Sequence, residues 1–167
     1  MQRFLHGHAS HPDWRSALAL AGAQVEAQRR ESGAASAPTL GWVYLTDHFA
    51  DAAEALLDEL RLRWPGVDWV GASGVGIAGG AAEYFDEPAL SLLLAQLPRP
   101  SFRVFSGAAP LRQFSAATAN VHADPAAAEL AELIRDMSAR TETGYLFGGL
   151  ASARASPIHI ANGVLRG

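Results

Sequence analysis

The sequence lacks cysteine and lysine altogether, and each absence removes a class of chemistry. Without cysteine there can be no disulfide, no thiolate metal site and no cysteine nucleophile. Because lysine is missing, all 13 basic residues are arginine, which excludes Schiff-base catalysis and a lysine-containing phosphate-binding loop. The formal charge of −4 also leaves no excess of basic residues of the kind that binds nucleic acid.

Long apolar runs are missing too. No stretch approaches the roughly 18 consecutive apolar residues that a membrane span requires, and the N-terminus has no signal-peptide core. The chain has 167 residues, of which 49% are hydrophobic, and this length suits one domain with a substantial core. We therefore expect a single cytoplasmic domain over residues 1–167.

The first half of the chain alternates between strand and helix patterns. The periodicity predicts a strand over 3–9, a helix over 14–25, a strand over 40–46, a helix over 49–64 and a strand over 67–70. This βαβαβ order favours parallel strands joined by crossover helices, and so an α/β fold.

The middle of the chain changes character. A glycine-rich segment over 71–80 is followed by short apolar runs at 83–85, 89–97 and 102–105, with turn residues between them. Such runs are typical of antiparallel strands, so we expect them to extend the parallel strands into a mixed sheet.

The last third of the chain predicts one more helix and two strands. Asp124 and Pro125 form a typical helix start, and the buried face of that helix is expected within Leu130–Met137. The two strands are expected over 144–150 and 157–160.

The chain ends just after a hairpin signal. Asn162-Gly163 favours a tight turn, yet only the residues 164–167 follow it. We therefore expect the chain to be the front part of a longer protein. Its last strand would then have an unpaired edge, which predicts self-association.

The glycine-rich segment is the strongest candidate for a binding site. It follows the third predicted strand, and open α/β sheets bind ligands at the carboxyl ends of their parallel strands. It is neither a dinucleotide-binding loop nor a nucleophile elbow, because Val75 stands where the elbow requires glycine. We expect main-chain ligand contacts around Gly71, Ser73, Gly74 and Gly76.

The ends of the first two predicted strands should lie at the same edge of the sheet. Right-handed crossovers bring His6, His8, Thr46 and Asp47 towards the glycine-rich segment. These four residues complete the predicted ligand site.

An enzyme is the alternative to a binding module. His6 and His8 would project from the same face of a strand and could hold the metal of a small hydrolase, or Ser73 could act as a nucleophile. No further ligand set completes either arrangement, so we predict no catalytic residue, no metal and no cofactor. A purely structural domain that pairs through its last strand is a third possibility.

Four segments together resemble the N-terminal half of FIST-domain proteins. They are His6-Gly7-His8-Ala9-Ser10, Gly41-Trp42-Val43-Tyr44-Leu45, the 71–80 stretch with Glu83-Tyr84-Phe85, and the segment 144–152. The resemblance implies a bacterial sensory domain of signal transduction that binds a small ligand such as an amino acid or another small polar metabolite. It also implies a FIST C domain as the partner that follows in the full-length chain.

Overall fold

A computed structural model describes residues 4–32, 37–107, 109–111 and 114–166. The strands of this part of the chain are β1 (Phe4–Ser10), β2 (Leu40–Thr46), β3 (Asp68–Gly74), β4 (Gly76–Gly79), β5 (Ala82–Phe85), β6 (Ala89–Ala95), β7 (Ala116–Ala123), β8 (Thr141–Leu150), β9 (Ile158–Ala161) and β10 (Val164–Arg166). The α-helices are α1 (Trp14–Glu31), α2 (Ala53–Arg63) and α3 (Leu130–Ala139), and two 3₁₀ helices span Asp47–Ala52 and Arg99–Ser101. None of the described helices is long and apolar enough to cross a membrane.

The main sheet has six strands in the order β1-β6-β2-β3-β9-β10. β2 and β3 pair in parallel, whereas β6 pairs antiparallel with both β1 and β2. β1, β2 and β3 therefore run in the same direction, as the alternating pattern predicts, but β1 is not a neighbour of β2. The expected α/β class with a mixed sheet is confirmed.

The hydrophobic core lies between one face of the main sheet and the helices α1 and α2. Alternate strand residues enter it, and Val43, Leu45 and Leu92 are at most 1% exposed. Gly7 allows α1 to approach closely, because a Cβ atom at this position would lie 2.1 Å from the carbonyl oxygen of Ala21.

Two glutamines of α1 cover the free edge of β1. The Gln24 amide accepts from the N–H of His8 at 3.2 Å and donates to its carbonyl at 2.8 Å. Gln28 does the same for His6, at 3.1 and 2.7 Å. The spacing fits because four residues of helix rise about 6 Å and two residues of strand about 7 Å. The two side chains thus satisfy an edge that would otherwise offer pairing to another chain.

Two small sheets lie on the opposite face of the main sheet. β4 and β5 form an antiparallel hairpin that contacts β1, β2 and β6. β7 and β8 pair in parallel, with α3 connecting them.

The prediction of a strand over 102–105 is wrong. These residues have no regular structure and follow the 3₁₀ helix, where Pro98 and Pro100 cannot donate main-chain hydrogen bonds to a neighbouring strand. The additional strand is β7 instead, which lies further along the chain and was not predicted.

The third helix also departs from expectation. It begins at Leu130 and not at Asp124, since the intervening residues form turns. Its predicted buried face is wrong as well, because Leu133 and Ile134 are 45% and 40% exposed.

The predicted hairpin at the end of the chain is present, with a second strand of three residues. Asn162 has a positive φ of 55°, as a tight turn requires. Its side-chain oxygen accepts from the N–H of Trp69 at 2.8 Å, which fixes the turn to the start of β3. Arg3 and Gly167, at the ends of predicted segments, lie outside the described residues.

Candidate functional site

A row of side chains crosses the sheet face that is turned away from the core. The strand registers pair His8 with Ser91, Ser91 with Tyr44, Tyr44 with Ala72, and Ala72 with His159. Paired residues on neighbouring strands project to the same side of a sheet. Because the alanine side chain is small, Ala72 leaves a depression in the sheet surface between the rings of Tyr44 and His159.

β7 contributes two polar side chains above this row. The Tyr44 hydroxyl and His122 Nε2 lie 2.9 Å apart, and the two rings meet edge to face with centroids 5.4 Å apart. Two residues earlier on each strand, Trp42 Nε1 donates to Asn120 Oδ1 at 3.0 Å. These two hydrogen bonds join the main sheet to the β7–β8 sheet.

A cavity of about 730 Å³ lies between the two sheets. This volume falls in the range of small-molecule sites, roughly 300–1,000 Å³. Its lining comes from the main sheet and the loops beside it (Phe4, Trp42, Tyr44, Ala72, Ser73, Gly74, Leu93, Leu97, Ser152), from the β7–β8 sheet (Asn120, His122, Phe147, Gly148, Gly149, Leu150) and from β4 (Gly76, Ile77, Ala78).

The titratable groups of the cavity are uncharged near neutral pH. Burial lowers the pKa of His122 to about 4, and the nearby His159 adds to this shift. Burial also raises the pKa of Tyr44, so its phenol keeps its proton. The phenol can donate to His122 Nε2 in the tautomer that carries the ring hydrogen on Nδ1.

The polar groups of this region are incompletely paired. Nδ1 of His122 has no hydrogen-bond partner among the described residues. His159 Nε2, beside the floor of the cavity, is buried and also unpartnered within the described part of the chain. Buried polar atoms usually have partners, so His159 Nε2 is an exception, as is Nε1 of Trp69 in the core.

The structure places three of the predicted site residues, Ser73, Gly74 and Gly76, at this cavity. The Ser73 hydroxyl accepts from the N–H of Ile158 at 2.9 Å and donates to the carbonyl of Ser152 at 3.4 Å. The Ser73 hydroxyl thus both accepts from and donates to main-chain groups, and it does not pair with a general base.

Gly71 and Thr46 lie within the packed structure. A Cβ atom at position 71 would lie 1.8 Å from the carbonyl oxygen of Val43, so this glycine permits the close approach of β2 and β3. The Thr46 hydroxyl accepts from the N–H of Ala89 at 2.9 Å and donates to its carbonyl at 3.4 Å. Neither residue lines the cavity.

Asp47 belongs to a charged cluster at the carboxyl end of β2. Its carboxylate accepts from the N–H of Arg154 at 2.7 Å and from the guanidinium at 3.1 Å. The same guanidinium also pairs with Asp86, and His48 lies 3.7 Å from Asp47. This cluster fixes the loop after β8 to the main sheet.

His6 and His8 lie at the opposite end of the row, beside the β4–β5 hairpin. His8 Nδ1 is 2.6 Å from the hydroxyl of Tyr84, and His8 is also next to Gly79. No group of three His, Asp or Glu side chains in the described ranges is arranged to hold a metal ion. The eight predicted residues therefore occupy separate places and do not form one cluster.

The residues that do converge on the cavity carried only weak sequence signals. In β2, Trp42 and Tyr44 alternate with Val43 and Leu45, which could have indicated one aromatic face with polar tips. Their partners on β7 could not be found this way, because each of the two hydrogen bonds joins residues 78 positions apart.

A second hollow of about 420 Å³ lies near Arg99 and Arg103. The Arg99 guanidinium already donates to the carboxylate of Asp68 and to the carbonyl of Gly66. We therefore take the cavity between the two sheets as the candidate site.

Comparison with known protein families matches residues 39–166 to the FIST N domain. All the residues that line the cavity, except Phe4, fall in this range. No curated protein and no solved structure matches the chain. FIST N domains are sensory, ligand-binding domains of signal transduction and are not an enzyme family. The chain belongs to the FIST N domain family.

Proposed function

We propose that this domain is a bacterial cytoplasmic sensor that binds a small molecule in the cavity between the main sheet and the β7–β8 sheet. The observation that carries the proposal is the cavity itself, about 730 Å³ between two separate sheets. Aromatic and aliphatic side chains together with glycine backbone form most of its lining, and Tyr44, Asn120 and His122 supply polar groups.

The position of the cavity supports a sensory role. Only part of its wall comes from the main sheet. Much of the rest comes from the β7–β8 sheet, which is largely exposed, and from β4 of the hairpin. A ligand that contacts both sheets would favour the arrangement in which it can touch both, and sensing requires such a differential interaction. The resemblance to FIST proteins implies an amino acid or another small polar metabolite, and a FIST C domain that receives the signal.

The hydrolase alternative has no observation in its favour. Ser73 is held by main-chain groups, and His8 is engaged with Tyr84.

A thermal-shift screen against amino acids and other metabolites tests the proposal. A ligand at 100 times its dissociation constant adds about 2.7 kcal/mol to the free energy of unfolding. For a domain of this size we expect a rise in melting temperature of roughly 5–10 °C.

A pair of matched glycine variants tests whether the cavity is the site. A Cβ atom at Gly149, which lines the cavity, or at Gly107, which does not, would meet nothing within 4 Å. We expect Gly149→Phe to abolish the shift and Gly107→Phe to retain it. Equal shifts in both variants would place binding elsewhere, and the absence of any stabilising compound would contradict the proposal.

A further inference from the structure

The walls of the cavity contain no formal charge. Neither aspartate, glutamate, arginine nor lysine is among its lining residues in the described part of the chain. The titratable side chains there are those of Tyr44 and His122, and burial shifts both towards their neutral forms.

One cation close to the lining along the chain, Arg154, is already engaged. Arg154 follows the lining residue Ser152 by two positions, but Asp47 and Asp86 bind its guanidinium. A ligand carboxylate would therefore have to compete with two aspartates. An ammonium group would find no carboxylate in the lining.

These facts weigh against a zwitterion. A free amino acid would lose part of the hydration of a carboxylate and of an ammonium group without gaining a charged partner for either among the lining residues. Removing such groups from water costs several kcal/mol each, even after relaxation of the protein. The aromatic rings of the lining cannot compensate for the loss at the carboxylate.

The shape of the lining favours a flat ligand. Trp42, Tyr44 and Phe147 present rings, and Gly149 leaves open space where a side chain would stand. Aromatic side chains and bare glycine backbone together form walls against which a planar ring can pack.

The unpartnered polar atoms specify what the ring should carry. With the Tyr44 hydroxyl donating to His122 Nε2, the opposite ring nitrogen is a donor without a partner among the described residues. It can bind an uncharged oxygen such as that of a hydroxyl or a carbonyl group.

We propose that the cavity takes an uncharged, ring-bearing molecule that presents a hydroxyl or carbonyl oxygen to His122, and that free amino acids are poor ligands. This inference rests on the proposed function, keeps its binding site, and puts an uncharged ring in place of the amino acid that the resemblance implies. Simple phenols are the smallest members of that class.

Calorimetry with para-cresol and tyrosine tests the inference, because the two molecules share one ring and differ in the charged groups. We expect para-cresol to bind the full chain at least tenfold more tightly than tyrosine. Tyrosine binding as tightly as para-cresol, or more tightly, would overturn the inference.

Two variants show where the oxygen binds. His122→Phe should weaken para-cresol binding at least tenfold, whereas Gly107→Phe should leave it unchanged, with circular dichroism used to establish that both variants are folded. Unchanged affinity in a folded His122→Phe protein would refute the role of His122.

The outcome also separates this inference from the proposed function. If neither molecule binds while a charged or ring-free compound gives a shift that Gly149→Phe abolishes, the inference fails and the proposed function stands. If no compound binds at all, both fail.

Discussion

The two faces of the main sheet use the same strands for different purposes. On the face covered by α1 and α2, Leu92 and its neighbours are almost fully buried, and the packing is apolar. On the opposite face, Leu93, Trp42 and Tyr44 are half-buried and line a cavity with polar groups. Since successive residues of a strand alternate between faces, stability and binding can be changed separately along one strand.

Adjacent leucines of β6 test this separation with the largest expected effect. Leu92, which is 1% exposed, faces the core, and Leu93 lines the cavity. We expect Leu92→Ala to lower the free energy of unfolding by about 2–5 kcal/mol because it leaves a void in a packed core. Leu93→Ala should cost about 1 kcal/mol, since less apolar area is buried there. Denaturant unfolding measures both values, and equal costs would contradict the difference between the faces.

The helix α1, which covers the core face, also covers the free edge of β1. Replacing Gln24 and Gln28 with alanine removes four hydrogen bonds to the main chain of His6 and His8. We expect a loss of about 1–2 kcal/mol and increased self-association through the uncovered edge. Sedimentation velocity of the double variant against the unchanged chain measures the association, and Glu31→Ala is a control at an exposed position of α1. The same sedimentation profile for all three proteins would show that the two glutamines do not prevent self-association through the edge of β1.

The cavity face should show its own dependence on pH. In the unfolded chain a histidine gains a proton near pH 6.5, whereas the pKa of folded His122 is about 4. The unfolded state therefore binds more protons between these values, and stability should fall as the pH drops from 6.5 to 4. His122→Gln should remove this component, so the difference in stability between the two proteins should change across that window. Parallel stability profiles from pH 7 to 4 would contradict a neutral, buried His122.

The core face was far more predictable from sequence than the cavity face. Local periodicity identifies α1, α2 and the strands they cover, because each apolar stripe is contained in one segment. The order of those strands was not predictable in the same way, since the insertion of β6 between β1 and β2 depends on pairing between distant segments.

The site shows the same limit. Ser73, Gly74 and Gly76 were predicted from a glycine-rich strand end and do line the cavity. Asn120 and His122 were not predicted as site residues, because their role depends on how β7 lies over β2. The sequence of β7 alternates only weakly between polar and apolar residues. It contains no glycine or charged cluster of the kind that indicates a binding site.

Fluorine NMR of the chain labelled with fluorotryptophan tests the central claim most directly. The sequence has four tryptophans. Trp42 lines the cavity, Trp64 and Trp69 lie in the core on the opposite face, 4% and 1% exposed, and Trp14 is partly buried against that core. On addition of para-cresol, or of a compound that stabilises the protein in the thermal-shift screen, the Trp42 resonance should shift and those of Trp64 and Trp69 should stay in place. Shifts at Trp64 and Trp69 with an unchanged Trp42 would show that the ligand does not bind between the two sheets.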